Sequence, residues 1–244
     1  MKTSASNVQV CLPQTTVPDV VAIVPAAGIG KRMCATWPKQ YMIIDHKTLL
    51  EHTVHCLLAH PAISQVVIAI GAEDEYFYNT SLASNLRIVV TTGGEERIDS
   101  VLAGLKATDA EWIMVHDAVR PCVSHNDIDT LIAAAILHPD GALLASPVRD
   151  TMKRANNDGV VEITVCRKQL WHALTPQMFK RKQLCGALQH ALNNSLTVTD
   201  EASAIELVGG APKLVTGRAD NIKVTQPEDL ELVAFFLARN AQTN

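Results

Sequence analysis

Apolar positions along this chain gather into short runs separated by stretches of helical period. Val20–Val24, Val66–Ile70, Arg87–Val90, Trp112–Val115 and Ala142–Ala145 are apolar almost throughout, as strands covered on both faces are. Between them, Leu49–His60, Asp99–Lys106 and Asp127–Leu137 carry apolar residues at helical spacing. Further on, Lys213–Val215 predicts another strand, and Lys180–Leu192, Asp200–Leu207 and Pro227–Arg239 predict helices, with Pro227 suited to a first turn. Strands alternating with helices predict an α/β fold with a mostly parallel sheet and helices on both faces. Ligands of such sheets bind beyond the carboxyl ends of the strands. The residues just after each strand are therefore the ones to read for chemistry.

One segment breaks the alternation. From Pro147 to Leu170, "PVRDTMKRANNDGVVEITVCRKQL" places a polar Asn156–Gly159 turn between two short segments that can pair. No helix accompanies this hairpin, so it is expected to project as an arm. Residues 1–19 are polar, contain Pro13 and Pro18 and lack a secretory apolar region, which predicts a loose tail ahead of a single domain over 20–244. No apolar run approaches the roughly 20 residues of a membrane helix.

Composition narrows the function. A hydrophobic fraction of 48% supplies a core, and a net charge of -4 argues against a general nucleic-acid binder. Aromatics at 4% offer little surface for base stacking. Six cysteines, at 11, 34, 56, 122, 166 and 185, form no C-x-x-C pair; reduced thiols in a cytoplasmic protein are expected. His52, His55 and Cys56 share a helical face, but no second ligand pair completes a metal site, and a solvated face is the simpler reading.

Four stretches follow strands. "PAAGIGKRM" follows the first. It lacks the spacing of a Walker A loop, since Pro25 stands where the first glycine belongs and Arg32 where Ser or Thr does. It is no dinucleotide fingerprint either, because Met33 takes the third glycine's place and Pro38 interrupts the helix that should follow. What remains is a small-residue turn, Ala26, Ala27 and Gly28, with Lys31, Arg32 and Lys39 behind it, a cradle for a polyphosphate. "HDAVRP" sets Asp117 at a strand end, where a carboxylate can hold Mg²⁺ or can simply pair with Arg120. "TTGGEERIDS" is a second glycine turn whose Glu95, Arg97 and Ser100 can line a pocket; a plain turn capped by Asp99 is the alternative. "GRADNIKVT" puts Lys223 near the sheet, where an unpaired lysine is costly, which favours an anionic ligand.

Taken with "PKQY", "SPVRDTMKRA", "WHALTPQ" and "TDEASA", these motifs run in order from about residue 20 to residue 239. Together they resemble the 2-C-methyl-D-erythritol 4-phosphate cytidylyltransferases of the non-mevalonate isoprenoid pathway. The resemblance implies a Rossmann-like nucleotidyltransferase fold, a homodimer joined through the arm at about 147–170, and transfer of CMP from CTP to a sugar-alcohol phosphate with Mg²⁺ or another divalent cation. No nucleic acid or membrane is implied as a partner. It further implies that Arg32, Lys39 and Lys223 are catalytic, and that Ala26, Ala27, Gly28, Gly94, Glu95 and Ser100 bind the nucleotide. Asp117, Arg120, Thr151, Arg167, Thr175 and Thr199 would bind the acceptor, Thr151 and Arg167 reaching in from the partner's arm, with Asp117 also serving the metal. Three positions depart from the common pattern: Lys31 for Arg, Glu95 for Asp, and Cys166 for Asp beside the arm's Arg167.

The implied chemistry agrees with the residues. A phosphate monoester nucleophile has a second pKa near 6, is largely dianionic at neutral pH and needs no general base. Cations must instead bring two anions together. Ribitol 5-phosphate is an alternative acceptor in the same superfamily. A non-catalytic CTP-binding module is an alternative of another class, against which the joint presence of Lys39, Asp117 and Lys223 argues.

Overall fold

A computed structural model of the chain describes residues 18–28 and 38–241. Most of the expected tail, together with Lys31 and Arg32, lies outside the described residues. In chain order the elements are β1 (Val20–Pro25), β2 (Ile43–Ile44), β3 (Lys47–Thr48), α1 (Leu49–Ala59), β4 (Ile63–Ile70), β5 (Ile88–Thr92), α2 (Arg97–Lys106) and β6 (Trp112–Val115). They continue with α3 (His125–Leu137), β7 (Ala142–Pro147), β8 (Met152–Ala155), β9 (Val161–Val165), β10 (Trp171–Lys180), α4 (Arg181–Asn193), α5 (Glu201–Leu207), β11 (Lys213–Thr216) and α6 (Asp229–Ala241).

Seven strands form one sheet in the order β11-β7-β10-β6-β1-β4-β5. All its pairings are parallel except those of β10, which runs antiparallel to both β6 and β7. The chain builds outward from β1 through β4 to β5, then returns to lay β6 on the other side of β1. That reversal opens a crevice at the carboxyl ends of β1 and β6, where open α/β sheets bind ligands.

The apolar runs are buried on both faces because each face carries helices. Ala22, Val24, Val66, Ile68 and Met114 pack against α1 and α3 through Leu50, Val54, Leu57, Ile128 and Leu131. Their neighbours Val21, Ile23, Val67, Ile113 and Val115 pack against α2, α4 and α5 through Val101, Leu105, Leu184, Leu188 and Ile205. Each fully buried aliphatic side chain of this kind contributes about 1.5–3 kcal/mol. Helix α2 lies especially close to β1: a Cβ on Gly104 would stand 2.6 Å from Ile23 Cγ2. This approach sets the position of Arg97 at the first residue of α2. A third, smaller cluster of Leu49, Val119, Val224 and Val233 ties α6 to the loops after β6 and β11.

One strand has no apolar signal in the sequence, and two expectations need correction. Trp171–Lys180 is the sheet's antiparallel strand, yet Pro176 interrupts its pattern and its ladder to β7 skips from Ala173 to Gln177; proline inside an apolar run argues against a strand. Pro227 sits in the turn before α6, with Leu230 N donating to its carbonyl (3.1 Å). The Asp229 carboxylate begins that helix instead, accepting from the amides of Thr225 (2.7 Å) and Gln226 (2.9 Å). Asp99 is the third residue of α2, its carboxylate accepting from Glu96 N at 3.1 Å.

Among the described residues, strands β8 and β9 pair only with each other, as a separate two-stranded sheet. Asn156 closes their turn, its Oδ1 accepting from the amides of Asp158 and Val160, and Gly159 takes the positive φ of 77° that the turn requires. Val160, Val161 and Ile163 on this hairpin stand more than half exposed. Among the described residues no helix is long and apolar enough to cross a membrane, and Cys56, Cys122, Cys166 and Cys185 are free thiols.

Candidate active site

Two turns meet at the carboxyl edge of the sheet. The first follows β1, where Ala26 N donates to Ala69 O at 2.7 Å; the second follows β5, where Gly93 N donates to Ile70 O at 2.7 Å. They touch so closely that a Cβ on Gly93 would lie 2.7 Å from Ala27 Cβ and 2.6 Å from Ser100 Oγ. Ser100, on α2, accepts from Gly94 N at 3.3 Å. Gln40 fixes the Lys39–Tyr41 turn to the same place, donating from Nε2 to Ala26 O at 2.7 Å. A cleft results, lined by Ala26, Ala27, Gly28, Lys39, Gly94, Glu95, Ser100, Asp117 and Lys223 among others. Ala26, Ala27, Gly28, Gly94 and Ser100 present backbone and small side chains to it, suited to a flat ring.

At the cleft's edge lies a second cavity of about 230 Å³, lined by Arg97, Asp117, Arg120, Leu174, Thr175, Gln177, Thr199, Asp200 and Lys223 among others. Arg97, Asp117 and Lys223 line both. Asp117 is the hub: Lys223 Nζ lies 3.0 Å from its Oδ2, Arg120 Nε 3.2 Å from the same oxygen, and Arg97 Nη2 3.4 Å from Oδ1. Burial pushes the Asp117 carboxyl up, but Arg97, Lys223 and Arg120 outweigh it and hold the group below the usual carboxylate range. One carboxylate thus gathers three cations where the two cavities join.

The floor beneath is a hydrogen-bonded stack. His116 is wholly buried, with Nε2 2.9 Å from Arg120 O and Nδ1 3.0 Å from Thr175 Oγ1. A carbonyl only accepts, so Nε2 carries the proton and Nδ1 accepts from the Thr175 hydroxyl. Thr175 Oγ1 in turn accepts from Asp117 N at 3.1 Å. Asn221 Nδ2 donates to Thr175 O (2.7 Å) and Arg120 Nη1 to Asn221 O (2.8 Å), joining the Lys223 loop to the stack. Antiparallel β10 makes this possible by carrying Thr175 back beside the end of β6.

Burial pushes the His116 imidazole down to about 4, against the pull of Arg120 O and Asp117. An unfolded chain protonates this histidine near 6.5, so between pH 6.5 and 4 the unfolded state binds the extra proton and stability falls with pH. The expected loss from His116 is about 3 kcal/mol, and His55 and His60, also lowered mainly by burial, act in the same direction. Urea unfolding at pH 7 and pH 4 measures it; equal stabilities would contradict a neutral, buried His116.

The structure brings together most of the residues singled out in the sequence: Lys39, Lys223, Ala26, Ala27, Gly28, Gly94, Glu95 and Ser100 at the cleft, and Asp117, Arg120, Thr175 and Thr199 at the second cavity. Arg32 lies outside the described residues. Thr151 and Arg167, on the hairpin, line neither cavity; Arg167 Nη1 instead donates to Arg149 O. Asp220 is bound by Arg218 and Arg239 and anchors the Lys223 loop. Three residues within the quoted motifs gain roles that their letters did not signal: Gln40, Gln177, which holds Asp200 and Ala202 N (2.9 and 2.8 Å), and Glu201, which pairs with Arg97.

The assignment of Asp117 to a metal does not fit these residues. Both its oxygens face cations, which leaves neither free for a metal in this structure. The simpler alternative, an ion pair with Arg120, is what forms. His52 and Cys56, on the helical face considered for a metal, are hydrogen-bonded to Ile44 O and Val123 O.

Residues 20–239 match the family model described as IspD: 2-C-methyl-D-erythritol 4-phosphate cytidylyltransferase. The chain is 56% identical over 223 residues to the 2-C-methyl-D-erythritol 4-phosphate cytidylyltransferase of Vibrio parahaemolyticus, covering 90% of this chain and 95% of that protein. It is 57% identical over 226 residues to that of Photobacterium profundum, covering 90% and 96%. Among solved structures, the Francisella tularensis 2-C-methyl-D-erythritol 4-phosphate cytidylyltransferase superposes with a TM-score of 0.79 at 34% identity, over 89% of this chain and 99% of that one.

Proposed function

The chain belongs to the 2-C-methyl-D-erythritol 4-phosphate cytidylyltransferase family, and from that membership we infer that the two joined cavities are its active site. The enzyme transfers CMP from CTP to 2-C-methyl-D-erythritol 4-phosphate, giving 4-diphosphocytidyl-2-C-methyl-D-erythritol and pyrophosphate, a step of non-mevalonate isoprenoid synthesis. In this reading the cleft takes CTP and the second cavity takes the acceptor. The observation that carries it is the cation cluster of Arg97, Arg120 and Lys223 on one buried carboxylate at the junction of the cavities.

The roles follow from position. Ala26, Ala27 and Gly28 face the nucleotide from one side and Gly94, Glu95 and Ser100 from the other. Lys39 holds the phosphates, and the sequence resemblance gives Arg32 the same part. Asp117 anchors the cations, and with Arg120, Thr175 and Thr199 it receives the acceptor. An oxygen of the acceptor's phosphate attacks the α-phosphorus; as that bond forms, the bond from the α-phosphorus to the bridging oxygen breaks, and its electron pair leaves with pyrophosphate. No proton has to move, because the attacking phosphate is already ionised. Lys223 offsets the repulsion between the two anions and the charge that spreads at phosphorus. A divalent cation, Mg²⁺ by the family's pattern, would supply positive charge to the triphosphate; none of the described residues is assigned to hold it.

A second copy of the chain completes the site, its arm supplying Thr151 and Arg167. Phosphorylated substrates and unpaired thiols support work in the cytoplasm. CTP is expected to be preferred over ATP and GTP by the narrowness of the cleft, and over UTP by at least about a hundredfold in kcat/KM through hydrogen bonds at the 4-amino edge, where a mismatch leaves polar groups unpaired. Pyrophosphate release with each nucleotide, offered 2-C-methyl-D-erythritol 4-phosphate or ribitol 5-phosphate, tests the reading. Comparable efficiency with ATP, or with ribitol 5-phosphate, would contradict it.

A further inference from the structure

Arg97 stands in the wall shared by the two cavities. Its guanidinium is held end-on by Glu201, Nη1 against Oε1 and Nη2 against Oε2 (the latter at 3.0 Å). Glu201 is 1% exposed, so water cannot solvate its charge, and the pairing with Arg97 is obligatory. Its place is fixed from below, since Gln177 holds Asp200 and Ala202 on either side of it. End-on pairing consumes one N–H from each terminal nitrogen and leaves the Nε–Nη2 edge of the fork. That edge faces Asp117 Oδ1 at 3.4 Å from both nitrogens, too long for a strong charge-assisted bond. It is therefore a pair of donors aimed at the junction and poorly satisfied by protein.

We propose that Arg97 is a further catalytic residue of the cytidylyl transfer, and that Glu201 is the positioning residue that aims it. This rests on the reading of the joined cavities as the active site. When both substrates are present, the Nε–Nη2 edge exchanges its long contact with Asp117 for phosphate oxygens at the reacting centre. It donates two hydrogen bonds there as the acceptor's oxygen bonds to the α-phosphorus and the pair of the breaking bond leaves with pyrophosphate. Arg97 transfers no proton. A rigid fork suits two oxygens at once, which a lysine ammonium does not.

The competing account is that Arg97 only neutralises Glu201, and paired substitutions separate the two. Arg97→Gln alone leaves Glu201 buried and unpaired and is expected to melt early. Arg97→Gln with Glu201→Gln removes both charges and is expected to restore the melting temperature. If Arg97 is catalytic, the restored double variant has kcat reduced by about a hundredfold or more, with KM for CTP and for the acceptor within about threefold of wild type. A double variant that melts normally and turns over normally would overturn the proposal. Should the double variant not fold, Arg97→Lys decides, because it keeps a charge opposite Glu201 while losing the fork: kcat lower by about thirtyfold or more supports the proposal, and wild-type kcat overturns it. Pyrophosphate release by the wild type from CTP and 2-C-methyl-D-erythritol 4-phosphate is the reference. Its absence would remove the reading of the site and this proposal with it, whereas an active wild type with unaffected variants would remove this proposal alone.

Discussion

Lys223→Ala lowers kcat by about a thousandfold and leaves the chain folded. Both halves of this expectation come from how Lys223 is held. Its loop does not depend on the amine: Val224 N donates to Val119 O (3.0 Å), Asn221 bridges Thr175 and Arg120, and Asp220 is clamped by Arg218 and Arg239. Asp117 also keeps Arg97 and Arg120 when Lys223 is gone, so no buried carboxylate is orphaned. What disappears is, among the described residues, the one lysine ammonium lying against both cavities. Two phosphate groups that must come within bonding distance then lose a cation where their repulsion is greatest, and that loss grows towards the transition state. KM should move little by comparison, since Lys39 and the backbone turns still bind the nucleotide. Steady-state pyrophosphate release together with thermal melting tests this. A folded variant within tenfold of wild-type kcat would show that the cation cluster serves structure alone.

Asp117 itself illustrates where sequence reading succeeds and where it stops. Its place at a strand end is legible because Trp112–Val115 is continuously apolar and a carboxylate after such a run must face the crevice. Its partners are not legible. Arg97 begins α2, 20 positions earlier, and Lys223 lies in a loop after the last strand; only the order of strands brings them to one carboxylate. A metal is the natural guess for an isolated aspartate, and it fails once three cations are counted around it. The same limit explains β10. Pro176 and the polar residues around it hide a strand from any test of apolar periodicity, yet that strand delivers Thr175 to His116 and Gln177 to α5. Glu201 is concealed for a related reason: at the first turn of a helix a glutamate reads as favourable dipole chemistry on a surface, and only its burial and its pairing with Arg97 of α2 make it a counter-charge.

The arm leads to the second large effect, a recovery of activity. Thr151 and Arg167 line neither cavity of their own chain, although the sequence resemblance implies that both bind the acceptor. The hairpin that carries them pairs with no other strand and leaves Val160, Val161 and Ile163 open to solvent. A lone two-stranded hairpin is marginal in water, so this one needs a surface to dock on. In the proposed symmetric dimer each arm would enter the other subunit's site, which would supply that surface and give Arg167 a site to serve. In such a dimer Arg167→Ala damages the neighbour's site, while Lys39→Ala damages its own. Each homodimer should be nearly inactive. A heterodimer of the two holds one site with both defects and one with neither. An equimolar mixture, dissociated and allowed to exchange fully, is half heterodimer, and should therefore regain about a quarter of wild-type turnover. Native mass spectrometry reports the exchange, and pyrophosphate release reports the activity. If heterodimers form and activity stays at the level of the parents, Arg167 serves its own subunit or no site at all, and the arm's docking is structural only.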